Sequence, residues 1–168
     1  MKIVVVSDTH MPRMAGELPS ALKKELEGAD LILHAGDWTS SVVYRLLAEY
    51  AQVEGVAGNN DGETLTDKLG LKRTVKAGGC RIGLVHGHWP VKSRTALQNA
   101  WDAFAGEEVD AIVFGHSHVP YMEKRGGVLL FNPGSPTAKR KQPRYSFGIL
   151  QANGGRLQAK HIFYDDKK

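Results

Sequence analysis

The sequence predicts an α/β fold with two distinct parts. Over about the first sixty residues, apolar runs of strand length alternate with helical patterns, as they do in the βαβ units of a parallel sheet. Most of the remaining chain consists of apolar runs paired across glycine turns, which is typical of antiparallel hairpins. We therefore expect a parallel part followed by a part built mainly from hairpins.

The first part alternates strands with helices. Three apolar runs predict buried parallel strands, at 2–7, 30–35 and 53–57. Two segments between them carry apolar residues at helical spacing and predict helices, at 18–28 and 40–50. Ser40 or Ser41 can cap the second of these helices, because a serine hydroxyl accepts the free amides of a first turn.

The second part contains three predicted hairpins. Their turns are Gly78-Gly79, Gly126-Gly127 and Asn153-Gly154-Gly155. The strands that flank them are 73–76 with 81–85, 121–124 with 128–131, and 145–151 with 156–163. A helix is predicted over 93–105 and a buried strand over 111–114. The last two residues, Lys167 and Lys168, are expected to fray.

Composition predicts one globular domain, residues 1–168. The chain has 168 residues, of which 42% are hydrophobic and 24% charged, enough for a sizeable core. The single cysteine, Cys80, cannot form an internal disulfide, and no apolar run reaches the length of a signal peptide core or a membrane span. These features predict a cytoplasmic location. The net charge of +4 weakly favours anionic partners.

Five short polar clusters each follow an apolar run. They are SDTH at 7–10, GDW at 36–38, GNND at 58–61, HGH at 86–88 and GHSH at 115–118. Ligands of α/β sheets bind outside the carboxyl ends of the strands, so these clusters are expected to meet. Carboxylate, amide and imidazole groups together suit a divalent metal ion.

Seven side chains in these clusters are candidate metal ligands: Asp8, His10, Asp37, Asn59, His86, His116 and His118. The Asp8/His10 and His116/His118 pairs are two residues apart, a spacing that places both side chains on one side of an extended segment. Seven ligands are too many for one tetrahedral ion and suit two ions that share Asp37. The competing interpretation, that such residues only cap or turn the chain, does not explain their recurrence after successive strands.

The clusters, taken in order, resemble the calcineurin-like metallophosphoesterase family. Its blocks run D-x-H, GD, GN-x-[DE], H and GH-x-H, and the sequence matches each one between residue 2 and about residue 135. The short length, GNND and the NPGS segment at 132–135 are most similar to small bacterial and archaeal phosphodiesterases, relatives of a retromer scaffold subunit. The resemblance implies a metallophosphoesterase-type α/β/β/α sandwich, with two packed sheets flanked by helices.

The resemblance also implies two metal sites. One takes Asp8, His10, Asp37 and His118, and the other takes Asp37, Asn59, His86 and His116. The cofactors are then two divalent ions, with Mn²⁺ preferred and Ni²⁺, Fe²⁺, Co²⁺ or Zn²⁺ also suited to the mixed ligands. Such a pair activates a water molecule that hydrolyses a phosphoester without a covalent intermediate.

Three further residues are candidate catalytic groups. Where related phosphatases have a histidine that protonates the leaving group, this chain has Asn60, which cannot act as an acid. His88 is either a substitute acid or a structural residue. Asp61 is expected to orient a neighbouring histidine rather than to bind metal.

Two residues are candidate substrate contacts, Arg13 beyond the first ligand pair and Asn132 in NPGS. A surface role for Arg13 is equally compatible with the sequence. A basic run, Lys139, Arg140, Lys141 and Arg144, follows NPGS and forms either a rim that attracts phosphate or a solvated loop.

The predicted function is hydrolysis of phosphodiesters by two metal ions. The expected partner is a small phosphoester substrate; nucleic acid and membrane partners are not expected, and a homo-oligomer is left open. The alternatives are a protein-binding scaffold of the same fold, a phosphomonoesterase and a nuclease. A scaffold has no need of all seven ligands, and a nuclease calls for additional nucleic-acid-binding segments.

Overall fold

The computed structural model describes residues 1–168 and contains ten strands and four helices. The strands are β1 (Lys2–Val6), β2 (Leu31–His34), β3 (Gln52–Gly55), β4 (Lys72–Ala77), β5 (Cys80–Val85), β6 (Ala111–Val113), β7 (Tyr121–Arg125), β8 (Val128–Asn132), β9 (Tyr145–Asn153) and β10 (Arg156–Tyr164). The helices are α1 (Ser20–Leu26), α2 (Ser41–Ala48), α3 (Glu63–Leu69) and α4 (Ala96–Ala103). Each has at most eight residues, too few to cross a membrane.

The first sheet has the strand order β10-β9-β1-β2-β3. Strands β1, β2 and β3 are parallel, as predicted, with Ile3 opposite Leu31 and Leu31 opposite Gln52. The C-terminal hairpin β9–β10 joins this sheet, where β9 runs antiparallel to β1. The expected division into a first and a second half is therefore wrong at this hairpin, because strand partners are chosen by packing rather than by sequence order.

The second sheet has the strand order β4-β5-β6-β8-β7. The predicted hairpins β4–β5 and β7–β8 form its two edges, and both pairs are antiparallel. Between them, β5, β6 and β8 run parallel. The carboxyl ends of β5 and β6 therefore point in the same direction, as do those of β1, β2 and β3 in the first sheet.

The two sheets pack face to face with helices on both outer sides. Alternate residues of β1 illustrate this packing, because Ile3 and Val5 lie between the sheets whereas Val4 and Val6 face the helices. Apolar residues of α1, α2 and α3 cover the first sheet, and α4 covers the second. The order of layers is α/β/β/α, which confirms the predicted fold class.

Two local features differ from the sequence-based expectation. Helix α3 was not predicted, because its only buried residues are Leu65 and Leu69, and Gly62 at its start supplies no capping side chain. Lys167 was expected to fray, but its Nζ donates hydrogen bonds to the carbonyl oxygens of Met14 and Thr137. Those acceptors belong to distant loops, so local sequence contains no signal for this contact.

The contact between the two sheets gives a test of the packing. A Cβ on Gly148 of β9 would lie 2.3 Å from Cε1 of Phe131 on β8, whereas a Cβ on Gly16 has open space around it. We expect Gly148→Ala to lower the free energy of unfolding by about 1–3 kcal/mol, because the buried ring cannot retreat without strain. Gly16→Ala should change it by less than about 0.5 kcal/mol. Urea denaturation measures both, and equal values would contradict the described interface.

Candidate metal centre

The centre forms where strand ends of the two sheets meet. Asp8, Asp37 and Asn59 follow β1, β2 and β3 of the first sheet, and His86 and His116 follow β5 and β6 of the second. The Nε2 atom of His86 lies 3.8 Å from Oδ1 of Asp8, so ligands from opposite sheets are in contact. The structure thus brings the predicted clusters to one place.

One ligand group contains Asp8, His10 and His118. Oδ1 of Asp8 lies 3.9 Å from Nε2 of His10 and 3.4 Å from Nε2 of His118. The two imidazole rings stack with their centroids 5.2 Å apart. Their Nε2 atoms and the Asp8 carboxylate therefore converge on one point.

A second group contains Asp8, Asp37 and His86, and Asn59 and His116 adjoin it. Oδ2 of Asp37 lies 3.3 Å from Nε2 of His86 and 3.5 Å from Nε2 of His10. Asp37 thus lies between the two groups, where the sequence placed a shared ligand. Asp8 also adjoins both groups, which the sequence did not indicate.

Unpartnered buried atoms show that this centre fits a cation. Oδ1 of Asp8 and the Nε2 atoms of His10 and His118 are buried without a hydrogen-bond partner. Buried polar atoms are rarely left in this state, and these three atoms face one another. A divalent ion would supply the missing partner, because carboxylate oxygen and imidazole nitrogen are both suited to bind one.

Hydrogen bonds behind the ligands fix their orientation. Nδ1 of His86 bonds the carbonyl of Ala35 at 2.7 Å, and Nδ1 of His118 bonds the carbonyl of Ala138. A backbone carbonyl can only accept, so each ring carries a proton on Nδ1 and turns Nε2 towards the centre. This arrangement is typical of metal-bound histidines.

Close backbone approach holds the carboxylates in place. Oδ2 of Asp8 accepts hydrogen bonds from Oγ of Ser7 at 2.8 Å and from the amide of His116 at 3.0 Å. A Cβ on Gly115 would lie 1.9 Å from that Ser7 hydroxyl, and one on Gly58 would lie 2.2 Å from Oδ1 of Asp37. Only glycine permits these approaches.

The ligand pairs are not extended, which corrects the expectation from their spacing. Five of the seven candidate ligands have a positive φ: Asp8 (57°), His10 (44°), Asp37 (60°), His116 (71°) and His118 (61°). This left-handed conformation costs roughly 1–2 kcal/mol in a residue other than glycine. The tight turns, rather than strand alternation, bring the paired side chains to the same side.

Asn60 and Asp61 support the loop that carries Asp37. The amide nitrogen and Nδ2 of Asn60 donate to the two carboxylate oxygens of Asp37 at 2.9 and 2.8 Å. The expected contact between Asp61 and a histidine is absent. Its carboxylate instead accepts hydrogen bonds from the backbone amides of Asp37, Thr39 and Gly58. Asp61 therefore orients the Asp37 loop directly.

His88 lies beside the second ligand group. Its ring centroid is 5.4 Å from that of His86 and 6.3 Å from that of His116, and its Nδ1 atom is buried without a partner. Burial, and then the charge of His86, lower the pKa of His88 to about 4. The ring is therefore neutral at pH 7 in the metal-free protein.

A cavity of about 470 Å³ opens beside the first ligand group, and Arg13, Asn60, Lys139 and Arg140 are among the residues that line it. Arg144 points away and pairs with Asp165 at 3.1 Å. The predicted basic run is thus divided between the cavity and the outer surface.

Asn132 does not contact the cavity, which corrects its predicted role in substrate binding. It is fully buried, and its Nδ2 donates to the carbonyl of Gly115 at 3.0 Å and to Oγ of Ser117 at 3.1 Å. Asn132 holds the GHSH loop.

Two residues that the sequence analysis missed act in a similar way, since Ser135 donates to the carbonyl of Asp8 and Thr137 to that of Thr9. Their only sequence signal is position, because Ser135 is the last residue of NPGS and Thr137 follows two residues later.

The charges at the centre are strongly coupled. Burial raises the pKa of Asp8 to about 6. Burial opposes ionisation of Asp37 as well, but hydrogen bonds from His86 and Asn60 outweigh it and lower the Asp37 pKa. For His86, the charges of Asp8 and Asp37 outweigh burial and raise the pKa to about 9. The metal-free centre therefore keeps a proton where a cation can bind.

Comparison with known proteins identifies the family. Residues 1–155 match the model of the calcineurin-like phosphoesterase superfamily domain. The chain belongs to this superfamily. The family is metal-dependent, which agrees with the ligand groups described above.

Several relatives of this phosphoesterase are named as enzymes. A probable metallophosphoesterase of Methanocaldococcus jannaschii is 37% identical over 83% of this chain and 70% of its own length. One from Methanothermobacter thermautotrophicus is 35% identical over 96% and 92%. A phosphodiesterase of M. jannaschii is 27% identical over 80% and 83%.

Solved structures share the fold of this phosphoesterase. Vps29 of Entamoeba histolytica, complexed with zinc, is 26% identical with a TM-score of 0.74, covering 97% of this chain and 99% of its own. An archaeal phosphodiesterase is 23% identical with a TM-score of 0.71, covering 96% and 100%. The likeness to the archaeal protein establishes the shared sandwich.

The Asp61 contacts give a test of the second ligand group. Asp61→Asn replaces an acceptor oxygen by a donor, so at least one backbone amide loses its partner. We expect the free energy of unfolding to fall by about 1–3 kcal/mol, and metal affinity of the phosphoesterase to fall about 10- to 100-fold. Asp67→Asn, on the exposed side of α3, should change neither. Calorimetric titration measures the metal affinity, and urea denaturation measures the free energy of unfolding. Unchanged metal affinity in Asp61→Asn would contradict the supporting role.

The raised pKa of His86 predicts proton release on metal binding. Below its pKa of about 9 the imidazole ring of metal-free His86 is positively charged, whereas an imidazole must be neutral to bind a metal ion. At pH 7 we expect about one proton to leave per protein, with metal affinity rising up to about tenfold per pH unit between pH 6.5 and 8.5. Calorimetry in buffers of different ionisation enthalpy measures this release. A heat and an affinity independent of buffer and pH would show that His86 is not titrated by the metal.

Proposed function

We propose that this phosphoesterase hydrolyses phosphodiesters with two divalent ions. The observation that carries the proposal is the position of Asp37, whose Oδ2 adjoins His10 of one ligand group and His86 of the other. A carboxylate between two ligand groups is suited to hold two ions a few ångströms apart. The phosphodiesterase name of one relative agrees with the proposal.

Each ligand group would hold one ion. The first would use Asp8, His10, Asp37 and His118, and the second Asp37, Asn59, His86 and His116. When bound, the ions supply Lewis-acid polarisation of the phosphoryl group and a water of lowered pKa. Mn²⁺ is the proposed ion, since the ligands combine carboxylate and amide oxygen with imidazole; the zinc complex of the E. histolytica Vps29 makes Zn²⁺ the first ion to compare.

The chain has no histidine where related phosphatases hold an acid for the leaving group. Asn60 lies at the place expected for such an acid, and its Nδ2 is directed at Asp37 at 2.8 Å. His88 is neutral at pH 7 in the metal-free protein. Leaving groups that are stable without a proton, such as aryloxides, are therefore the preferred ones.

A scaffold role is the second candidate, because proteins named Vps29 are among the structural neighbours. The two roles differ in their demand on the centre. A scaffold gains nothing from three buried polar atoms without partners, since such atoms destabilise the metal-free fold. The unpartnered atoms favour a bound metal ion, which the proposed hydrolysis requires.

Metal removal tests the two-ion hydrolysis. Thorough chelation should abolish hydrolysis of bis(4-nitrophenyl) phosphate, and Mn²⁺ should restore it. Asp37→Ala should lower kcat at least about 100-fold and reduce bound metal, because it removes a ligand from both groups. Asp67→Ala, an exposed carboxylate on α3, is the matched control and should behave as wild type. Activity that survives chelation, or an Asp37→Ala variant with normal rate and metal content, would rule out the proposal.

The leaving group tests the role of Asn60. We expect aryl diesters to react faster than alkyl monoesters, with rates that fall steeply as the pKa of the leaving group rises. Asn60→His should raise monoester hydrolysis by up to about 100-fold if the ring reaches the leaving oxygen, since general acids contribute this much or more. Asn60→Gln keeps an amide and is the control. Faster hydrolysis of alkyl monoesters by the wild type would show that another group, such as His88, supplies the proton.

A further inference from the structure

The cavity beside the metal centre has a one-sided charge. Four cationic side chains contribute to its lining: Arg13, Lys139, Arg140 and Lys167. No aspartate or glutamate lines it, and it opens onto the metal ligands His10 and His118. A ligand in this space would therefore contact the metal centre and the four cations together.

These cations are unpaired. None of the four has a carboxylate within salt-bridge distance, whereas eight other lysine and arginine side chains of this chain are paired with one. Unbalanced charge in a concave surface raises the local concentration of ligands of opposite sign. The cavity is thus suited to an anion.

The lysines are held in place without an anion. Nζ of Lys139 lies 5.6 Å and Nζ of Lys167 5.7 Å from the ring centroid of Tyr145. Nζ of Lys167 also donates to the carbonyls of Met14 and Thr137. An ammonium group has three hydrogens, so Lys167 keeps one donor for a ligand. The two ammonium groups are therefore positioned before a ligand binds.

Arg140 is the second cation of the basic run that lines the cavity. Its backbone has a φ of 52°, which is uncommon outside glycine. Arg140 and Lys141 are both exposed, but only Arg140 lines the cavity, so the two residues allow a matched comparison.

The charges exceed what a simple diester needs. At the centre, two divalent ions would face the carboxylates of Asp8 and Asp37, which leaves positive charge enough for the single negative charge of a phosphodiester. We infer that the substrate is a small phosphodiester with a second phosphate group, and that Arg13, Lys139, Arg140 and Lys167 bind this second phosphate. The inference rests on the proposed function for the diester that is cleaved.

Two substrates with the same leaving group test the inference. Thymidine 5′-(4-nitrophenyl phosphate) has one phosphate, and its 3′-phosphorylated form adds a second. We expect the Mn²⁺-loaded enzyme to favour the second substrate at least about tenfold in kcat/KM, with most of the gain in KM at low salt. Arg140→Ala should abolish this preference, and Lys141→Ala should retain it. Equal kcat/KM for the two substrates, or faster cleavage of a thymidine oligonucleotide, would overturn the inference.

Binding to the metal-free protein separates this inference from the proposed hydrolysis. Inorganic pyrophosphate should bind the metal-free chain in calorimetry, and Arg140→Ala should weaken it at least about fivefold. Lys141→Ala and Arg144→Ala should weaken it less than about twofold, because these cations lie outside the cavity. Selective pyrophosphate binding without hydrolysis of either thymidine ester would overturn the proposed function and support the anion site. Equal weakening by Arg140→Ala and Lys141→Ala would overturn the anion site.

Discussion

The buried carboxylate of Asp8 is the constraint on which the rest of the site depends. It is fully buried where the first sheet meets the second, and a charge in such a place is unfavourable unless it has partners. One oxygen is held by Ser7 and the amide of His116, and the other faces histidines and has no hydrogen-bond partner. Gly115 allows the second sheet to approach this closely. A cation bound here would supply the missing partner and would contact ligands from both sheets.

The centre is built with local strain that the sandwich supports. Five ligands adopt left-handed backbone conformations, and their loops are held by hydrogen bonds from outside the ligand set. Asp61 secures the Asp37 loop, Asn132 secures the GHSH loop, and Ser135 bonds the carbonyl of Asp8. Strained residues persist only where the surroundings determine them. The supporting residues are therefore as necessary to the site as the ligands.

The same contacts bear on the choice between enzyme and scaffold. A fold used only for its outer surface could replace the strained, partly unpartnered centre with apolar packing of equal volume, which is often neutral or stabilising. The retained ligand groups and the unpaired cations of the neighbouring cavity instead point towards the binding of metal and anion. Both features lie at the carboxyl ends of the strands, where α/β folds bind their ligands.

The sequence by itself located most of the secondary structure and predicted a set of candidate ligands. Apolar runs and glycine turns located all ten strands and three of the four helices, because periodicity and turn chemistry are local properties. The clusters after the strands indicated a metal centre, and family resemblance assigned seven ligands to it. Helix α3 was missed because its two buried leucines form too short a pattern.

Only the tertiary structure decided which distant residues meet. It placed β9 and β10 in the first sheet, gave Asp8 a position between both ligand groups, and showed that Asn132 supports a loop instead of binding substrate. It also separated Arg140 in the cavity from Arg144 on the surface and brought Lys167 to the cavity wall. These outcomes depend on packing between segments far apart in the chain, and local patterns of hydrophobicity and charge carry no information about such contacts.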